Sequence, residues 1–273
     1  MNVDQLLRWA QEQLENAGIA TARLDALVLL EDCSAINRAK LLYEPTSKLD
    51  NATINRYRNL IKLRVTHVPL AYIRGKTEFY GRTFLINKYV LEPRPESETL
   101  IDELKTIMDM KQVKNANVID VGTGSGALAI TINLELNPAQ IYATDINKRC
   151  LKIAAQNALI YKSNIKFLHG DLIKPIPAES WNNNCIIIAN LPYVPNNWKI
   201  NTHALHEPKS AIFGGHDGLL FYKKLFKQVN TLQKRPSYIL TESMPPQHKQ
   251  LKSIANNYGF RLFKTNDFIS IFN

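Results

Sequence analysis

The segment VIDVGTGSGALAI, residues 118–130, constrains the architecture of this chain more than any other. A short β-branched run ends at Asp120 and Val121, glycines follow at 122, 124 and 126, and helix-forming residues begin near Ala127. Glycines let the backbone pass close to a ligand, while the start of the helix presents unpaired N–H groups toward it. The spacing predicts a strand, a tight turn and a helix that together form one edge of a binding crevice.

The rest of the carboxyl-terminal two thirds repeats that alternation. Apolar strand-like runs occur at Val118 to Val121, Ile141 to Thr144, Ile165 to Leu168, Ile186 to Ala189 and Tyr238 to Leu240, and again in FRLFKTNDFISIFN. Helical patterns separate them, so the expected fold is α/β, a doubly wound and mostly parallel sheet with its crevice at the carboxyl ends of the strands. The amino-terminal third has a different period. Leu6, Leu7, Ala10, Leu14 and Ala17 recur at helical spacing before Gly18, followed by Leu24, Leu27 and Leu30, then Ile54, Tyr57 and Ile61. Asp50 is placed to cap the last of these helices and Pro69 to stop it, with Arg56, Arg58, Lys62 and Arg64 read as a solvated face. Between the two regions, EFYGRTFLINKYVL holds aromatic and β-branched residues around Gly81 and the Asn87-Lys88 pair, as in a hairpin.

With 273 residues and 45% hydrophobic content, the chain has enough apolar material for a large core. A formal charge of +10 favours an acidic partner, either nucleic acid or an acidic protein surface. Cys33, Cys150 and Cys185 are far apart and form no C-x-x-C pair, which argues against a disulfide framework and for a cytoplasmic setting. No stretch has the roughly 18 uninterrupted apolar residues of a membrane span, and no leader is expected. His203 and His206 have ligand-like spacing without matching carboxylates or thiols nearby, so no metal is expected.

The loop by itself allows two donors of adenosine. Gly122-x-Gly124-x-x-Ala127 satisfies the dinucleotide form, with Asp145 about twenty residues further on. The acidic Asp120 directly ahead of the loop and the third glycine, Gly126, favour S-adenosylmethionine; the D-x-G-x-G-x-G spacing resembles the first motif of class I methyltransferases. Asp145 ends the next strand, where its carboxylate can accept from a ribose diol, and Asp171 with Leu172 follows the third strand, where they could meet an adenine amino group and ring.

After the fourth strand comes NLPYVP, residues 190–195. Asn190 and the carbonyl of Leu191 offer two acceptors to one planar NH2 group, Tyr193 can stack on it, and Pro192 and Pro195 restrict φ. An NH2 on an amide or aromatic amine has a delocalised lone pair, so it needs placement more than it needs a strong base.

Together these residues resemble the release-factor glutamine methyltransferases, the PrmC or HemK family. The connector PLAYIRGKTEFYGRTFLINKYVLEPRPESETL matches that family's P-x-x-Y-I-x-G, E-F-x-G and P-R-P-E-T-E, and HEPKSAIFGGHDGL matches E-P-x-x-A-x-x-G-G-x-D-G-L. LTESMPPQ keeps the Glu242 and Gln247 of L-E-I-G-x-x-Q. The resemblance implies a class I S-adenosylmethionine-dependent methyltransferase with a Rossmann-like seven-stranded sheet. It implies a helical bundle for release factor recognition over 1–71, a β-hairpin linker over 72–92 and the methyltransferase domain over 93–273. It also implies methylation of the side-chain amide of glutamine in the Gly-Gly-Gln motif of class I peptide chain release factors, with no membrane and no direct nucleic acid required.

Carried over by motif, Asp120, Gly122, Thr123, Gly124 and Gly126 line the methionine end of the donor, Asp145 holds the ribose, and Asp171 with Leu172 frames the adenine. Asn190, Leu191, Pro192 and Tyr193 receive the glutamine. Leu191 stands where the family has proline, Glu92 where it has an apolar residue, Ser97 where it has threonine, and Ser243-Met244-Pro245 where it has Ile-Gly. Leu191 keeps the backbone acceptor and is expected to loosen the turn. It also gives the N-L-P-Y form of enzymes that methylate ribosomal RNA adenines, which leaves that chemistry, a ribosomal-protein glutamine methyltransferase and a donor-binding module without turnover as alternatives.

Overall fold

The computed structural model describes residues 1–110, 116–200, 202 and 204–273. The chain divides into two compact units, Met1–Lys76 with Asn201–His206, and Thr77–Ile200 with Glu207–Asn273.

The first unit is helical: α1 (Val3–Asn16), α2 (Ala22–Ser34), α3 (Arg38–Tyr43), α4 (Asn51–Val65) and α5 (Leu70–Arg74). Asn2 and Gln5 form a reciprocal capping box at α1, and Asp50 accepts from the Thr53 N–H at 2.8 Å to cap α4, as its position suggested. Val3, Leu6, Ala10 and Leu14 of α1 pack with Leu29, Leu30, Ile54, Tyr57 and Ile61 to form its core.

Three expectations for this unit need correction. Leu24 is 51% exposed, because α2 turns Ala22, Asp25, Ala26 and Leu29 inward instead. The reason is Arg64, which is buried and not on a solvated face: its Nε lies 2.7 Å from Asp25 Oδ2, with both side chains 4% exposed. Arg58 also leaves the solvated stripe to lie over the Trp9 ring. Finally, α4 ends at Val65 before reaching Pro69; His67 takes a left-handed φ of 64°, and Pro69 leads into α5.

The second unit opens with a hairpin of β1 (Lys76–Phe79) and β2 (Arg82–Leu85). Its turn residues, Tyr80 and Gly81, have φ of 50° and 68°, the positive pair that matches strand twist. Asn87-Lys88 falls after the hairpin, where the Asn87 carbonyl accepts from the Val90 N–H. There follow α6 (Glu98–Met110), β3 (Asn117–Val121), α7 (Ala127–Leu136), β4 (Gln140–Asp145), α8 (Lys148–Ile160), β5 (Ile165–His169) and β6 (Ile186–Ala189). The chain continues through α9 (Lys209–Ile212), α10 (Leu220–Val229), β7 (Tyr238–Glu242), α11 (His248–Asn257), β8 (Leu262–Asn266) and β9 (Ile269–Phe272).

The seven strands β3 to β9 are ordered β5-β4-β3-β6-β7-β9-β8. The pairs from β5 through β7 are parallel, and β9 runs antiparallel to both its neighbours. Helices cover both faces, so β6 and β7 are buried at every residue and read as continuous apolar runs with little alternation. The strand order reverses between β3 and β6, which opens a crevice beyond the ends of β3, β4, β5 and β6. Asn157 of α8, fully buried, ties this region together: its Oδ1 accepts from the Leu85 N–H, and its Nδ2 donates to the carbonyls of Leu85 and of Ser125 in the glycine loop. Among the described residues, no helix is long and apolar enough to cross a membrane.

Candidate active site

A cavity of about 240 Å³ fills the crevice. Its described lining includes Gly122 to Ser125 of the glycine loop, Asp145 at the end of β4 with Ile146 after it, Gly170 to Leu172 after β5, and Asn190 to Pro192 after β6. Connector residues Leu91 to Arg94 and Ser97 complete the wall, together with Phe221. The structure therefore gathers most of the expected site residues from four successive strand ends.

The loop is built to come close to a ligand. Gly124 has φ of +57°, and a Cβ placed on it would meet no heavy atom within 4 Å, so it would project into open space. Its N–H donates to Asp145 Oδ2 at 3.0 Å, and Asp145 Oδ1 accepts from the Asn147 N–H at 2.8 Å. Burial raises the Asp145 pKa against these two backbone bonds. Gly126 sits outside the cavity lining, at the start of α7, with its N–H donating to the Thr123 carbonyl.

Asp120 lies beneath the loop and does not line the cavity. It is 1% exposed and accepts from Thr123 Oγ1 at 2.6 Å, while its other oxygen, Oδ1, has no partner among the described residues. Burial, aided by the nearby Asp145 charge and opposed by the Thr123 bond, pushes its pKa up to about 7. Leu172 is held at a left-handed φ of 54°, a strained conformation of the kind that collects at functional positions, and it both lines the cavity and packs into the core. Asp171 Oδ2 accepts from Gln228 Nε2 and pairs with Lys174.

The NLPYVP segment is held from several sides. Asn190 Nδ2 donates to Ser97 Oγ at 2.7 Å and to Glu242 Oε2 at 3.0 Å. Leu191 is pinned by a bond a proline could not make, its N–H donating to Tyr222 Oη at 3.2 Å, and its side chain lies against Gly122. The expected loosening of the turn is thus offset by the fully buried Tyr222, whose hydroxyl also donates to the Glu242 carbonyl. Tyr193 lies outside the cavity lining; its hydroxyl donates to Glu242 Oε1, and its ring packs on the sheet core. Burial, with the Glu242 charge adding to it, drives the Tyr193 pKa far above that of an ordinary phenol.

The GGHDGL stretch explains itself here. A Cβ on Gly218 would collide with the Tyr193 carbonyl oxygen, and one on Gly214 with the Pro192 carbonyl, so the two loops lie backbone to backbone. Gln247 Nε2 clamps them by donating to the carbonyls of Tyr193 at 2.8 Å and Asp217 at 2.9 Å. Sequence reasoning singled out Glu242, Gln247 and Ser97 only through a motif; Tyr222 and Asn157 gave no signal beyond being polar residues inside apolar patterns. His203 lies outside the described residues, His206 is 3.2 Å from the Thr66 carbonyl, and no cluster of three potential metal ligands occurs among the described residues.

A seven-stranded mixed sheet whose order reverses beside the glycine loop, with β9 antiparallel to its neighbours, has, together with the comparisons that follow, the fold of a class I S-adenosylmethionine-dependent methyltransferase. Solved structures agree at the level of fold. A methyltransferase from Pyrococcus furiosus superposes with a TM-score of 0.50 at 18% identity, covering 71% of this chain and 89% of the other. The N-terminal domain of human METTL16, in complex with SAH, gives 0.52 at 16% identity, covering 79% and 83%. Residues 5–75 match the model of the PrmC N-terminal domain, and residues 102–192 match that of the ribosomal protein L11 methyltransferase (PrmA). The release factor glutamine methyltransferase of Bacillus subtilis is 32% identical over 243 residues, 87% of this chain and 83% of that protein. That of Bacillus anthracis is 34% identical, over 86% and 84%. A bifunctional methyltransferase of Rickettsia typhi is 29% identical, and the aligned region spans 54% of its length. The chain belongs to the release factor glutamine methyltransferase family.

Proposed function

We propose that this enzyme transfers a methyl group from S-adenosylmethionine to the side-chain amide nitrogen of the glutamine in the Gly-Gly-Gln motif of class I peptide chain release factors. The observation that carries this reading is the pairing, in one cavity, of an open glycine cradle with the Asn190–Leu191 acceptors. The residues fit the donor: Gly124 leaves space where any side chain would intrude, and the carboxylate of Asp145 borders that space.

Gly122, Thr123 and Gly124 receive the methionine end, with Asp120 and Gly126 shaping the loop from behind. Asp145 accepts from the ribose, and Asp171 with Leu172 frames the adenine. When bound, S-adenosylmethionine supplies an electrophilic methyl carbon; the new N–C bond replaces an S–C bond, and one proton leaves the nitrogen for water. Asn190 Oδ1 and the Leu191 carbonyl accept from the target NH2 and fix its plane, Pro192 holds the cavity wall, and Tyr193 anchors the loop that carries them. The chain contributes orientation and oriented dipoles, without a covalent intermediate.

Residues 1–71 act as the release factor recognition bundle, whose last helix α5 runs on to Arg74, and 72–92 hold the hairpin linker to the methyltransferase domain, 93–273; the PrmC N-terminal match to 5–75 supports a separate amino-terminal unit. A basic surface suits an acidic protein partner in the cytoplasm. Asn190→Ala is expected to lower kcat by roughly a hundredfold, the scale for losing one oriented donor or acceptor in a transition state, with donor affinity retained in calorimetry. An unchanged kcat would remove Asn190 from the substrate site.

A further inference from the structure

The buried carboxylate of Glu242 is the centre of a network in which every partner is neutral. Ser97 Oγ donates to its Oε2 at 2.6 Å, Asn190 Nδ2 to the same oxygen at 3.0 Å, and Tyr193 Oη to Oε1 at 3.0 Å. Glu242 is 1% exposed, and no ion pair among the described residues involves it. The partners come from two separate places in the chain, the connector and the strand-end loop, and meet Glu242 at the end of β7.

The consequence concerns polarity. Burial raises the Glu242 pKa against the bonds from Ser97, Tyr193 and Asn190, and Oε2, which takes a hydrogen bond from Ser97 and another from Asn190, acts as the acceptor to both. Asn190 has two N–H groups, and both are spent, one on Glu242 and one on Ser97 Oγ at 2.7 Å. Its one remaining polar atom is the carbonyl Oδ1, which accepts no hydrogen bond among the described residues while Asn190 itself lines the cavity. An asparagine side chain can turn over and exchange donor for acceptor at little steric cost; here the Glu242–Ser97 pair makes only one of the two orientations possible.

We infer that Glu242, with Ser97, is a positioning residue that locks Asn190 with its acceptor toward the cavity, so that the site admits a group presenting N–H donors and disfavours one presenting only oxygen acceptors. Resting on the reading that Asn190 receives the target amide, this assigns the discrimination of a glutamine from a glutamate side chain to residues that do not touch the substrate. A glutamate carboxylate in that place would set oxygen against oxygen, whereas the amide NH2 satisfies both acceptors.

The test uses the full-length enzyme and Glu242→Gln, which is nearly isosteric but exchanges one of the two accepting oxygens for a donating NH2. With that NH2 in the Oε2 place, Asn190 gains a partner for its own carbonyl and turns its NH2 toward the cavity; Glu242→Leu, measured beside it, removes both acceptors and frees Asn190 whichever way a glutamine turns. Expected are a fall in kcat of about tenfold to a hundredfold with donor affinity within about twofold, measured by calorimetry with S-adenosylhomocysteine. Ser97→Ala should show a smaller loss, of which Ser97→Thr recovers most. A second readout is independent of turnover: the Asn190 side-chain NH2 in the isotope-labelled wild type should be protected from hydrogen exchange, and Glu242→Gln should abolish that protection.

Unprotected Asn190 protons in the wild type would overturn the inference, even if glutamine methylation proceeds. Protection without any methylation of a release factor would leave this geometry standing and overturn the substrate assignment instead. Wild-type kcat in both Glu242→Gln and Glu242→Leu, or loss of donor binding and fold stability together with kcat in both, would refute the positioning role.

Discussion

Two glycine-to-alanine substitutions separate the part of the site that is open for a ligand from the part that is packed shut. At Gly124, φ is +57° and no heavy atom lies within 4 Å of where a Cβ would stand. Alanine there meets only the cost of a left-handed backbone, about 1–2 kcal/mol, which in a domain of this size lowers Tm by about 2–8 °C. The added methyl group projects into the cavity, so donor affinity should fall at least about tenfold, equivalent to about 1.4 kcal/mol. At Gly218, φ is +75°, and the Cβ would run into the Tyr193 carbonyl and the Gln247 amide that clamps it. To the same backbone cost is added an overpacking penalty, for a total of about 2–5 kcal/mol. Because the neighbour is backbone, relief requires moving the Asn190–Tyr193 loop, so kcat should fall while the donor still binds to whatever fraction remains folded. Calorimetry with S-adenosylhomocysteine, thermal unfolding and single-turnover methyl transfer read the three quantities. Wild-type donor affinity in Gly124→Ala would refute the placement of the donor on the open side of the loop.

Two further predictions address stability. Asp25→Ala leaves Arg64 buried without its counter-ion and should cost about 3–5 kcal/mol in urea unfolding, whereas a solvent-exposed arginine would register almost nothing. Asp120 has a folded-state pKa of about 7, above its ordinary 3.8, so its contribution is fully present below about pH 3.8 and is lost as pH rises through about 7. The difference corresponds to up to about 4 kcal/mol, and Asp120→Asn, which cannot ionise, should therefore lose less stability than wild type between pH 5 and pH 8; parallel pH profiles would contradict the burial argument.

Much of the catalytic unit was legible in the sequence because its signals are local. The strand runs ending at Val121, Asp145 and Ala189, the glycine loop and NLPYVP each announce themselves within a dozen residues, and each lies at a strand end where the fold puts it. What escaped were pairings across long separations. Nothing near Arg64 shows that Asp25 will draw it inward, 39 residues away, and a periodicity of leucines cannot reveal that α2 rotates to accommodate that pair. Asn190, Ser97 and Glu242 converge although Ser97 and Glu242 are 145 positions apart. Leu191 looked like a weakened proline because a sequence shows the lost ring and not the gained N–H bond to Tyr222, 31 residues further on in α10.

The central claim is the identity of the methyl acceptor. The most direct measurement incubates the enzyme with methyl-labelled S-adenosylmethionine and a class I release factor, beside the same factor with its Gly-Gly-Gln glutamine changed to alanine and beside ribosomal RNA, and locates the label by tandem mass spectrometry. A single methyl group is expected on the amide of that glutamine, with none on the alanine variant or the RNA. Label on RNA adenines, or none on any substrate despite measurable donor binding, would contradict it.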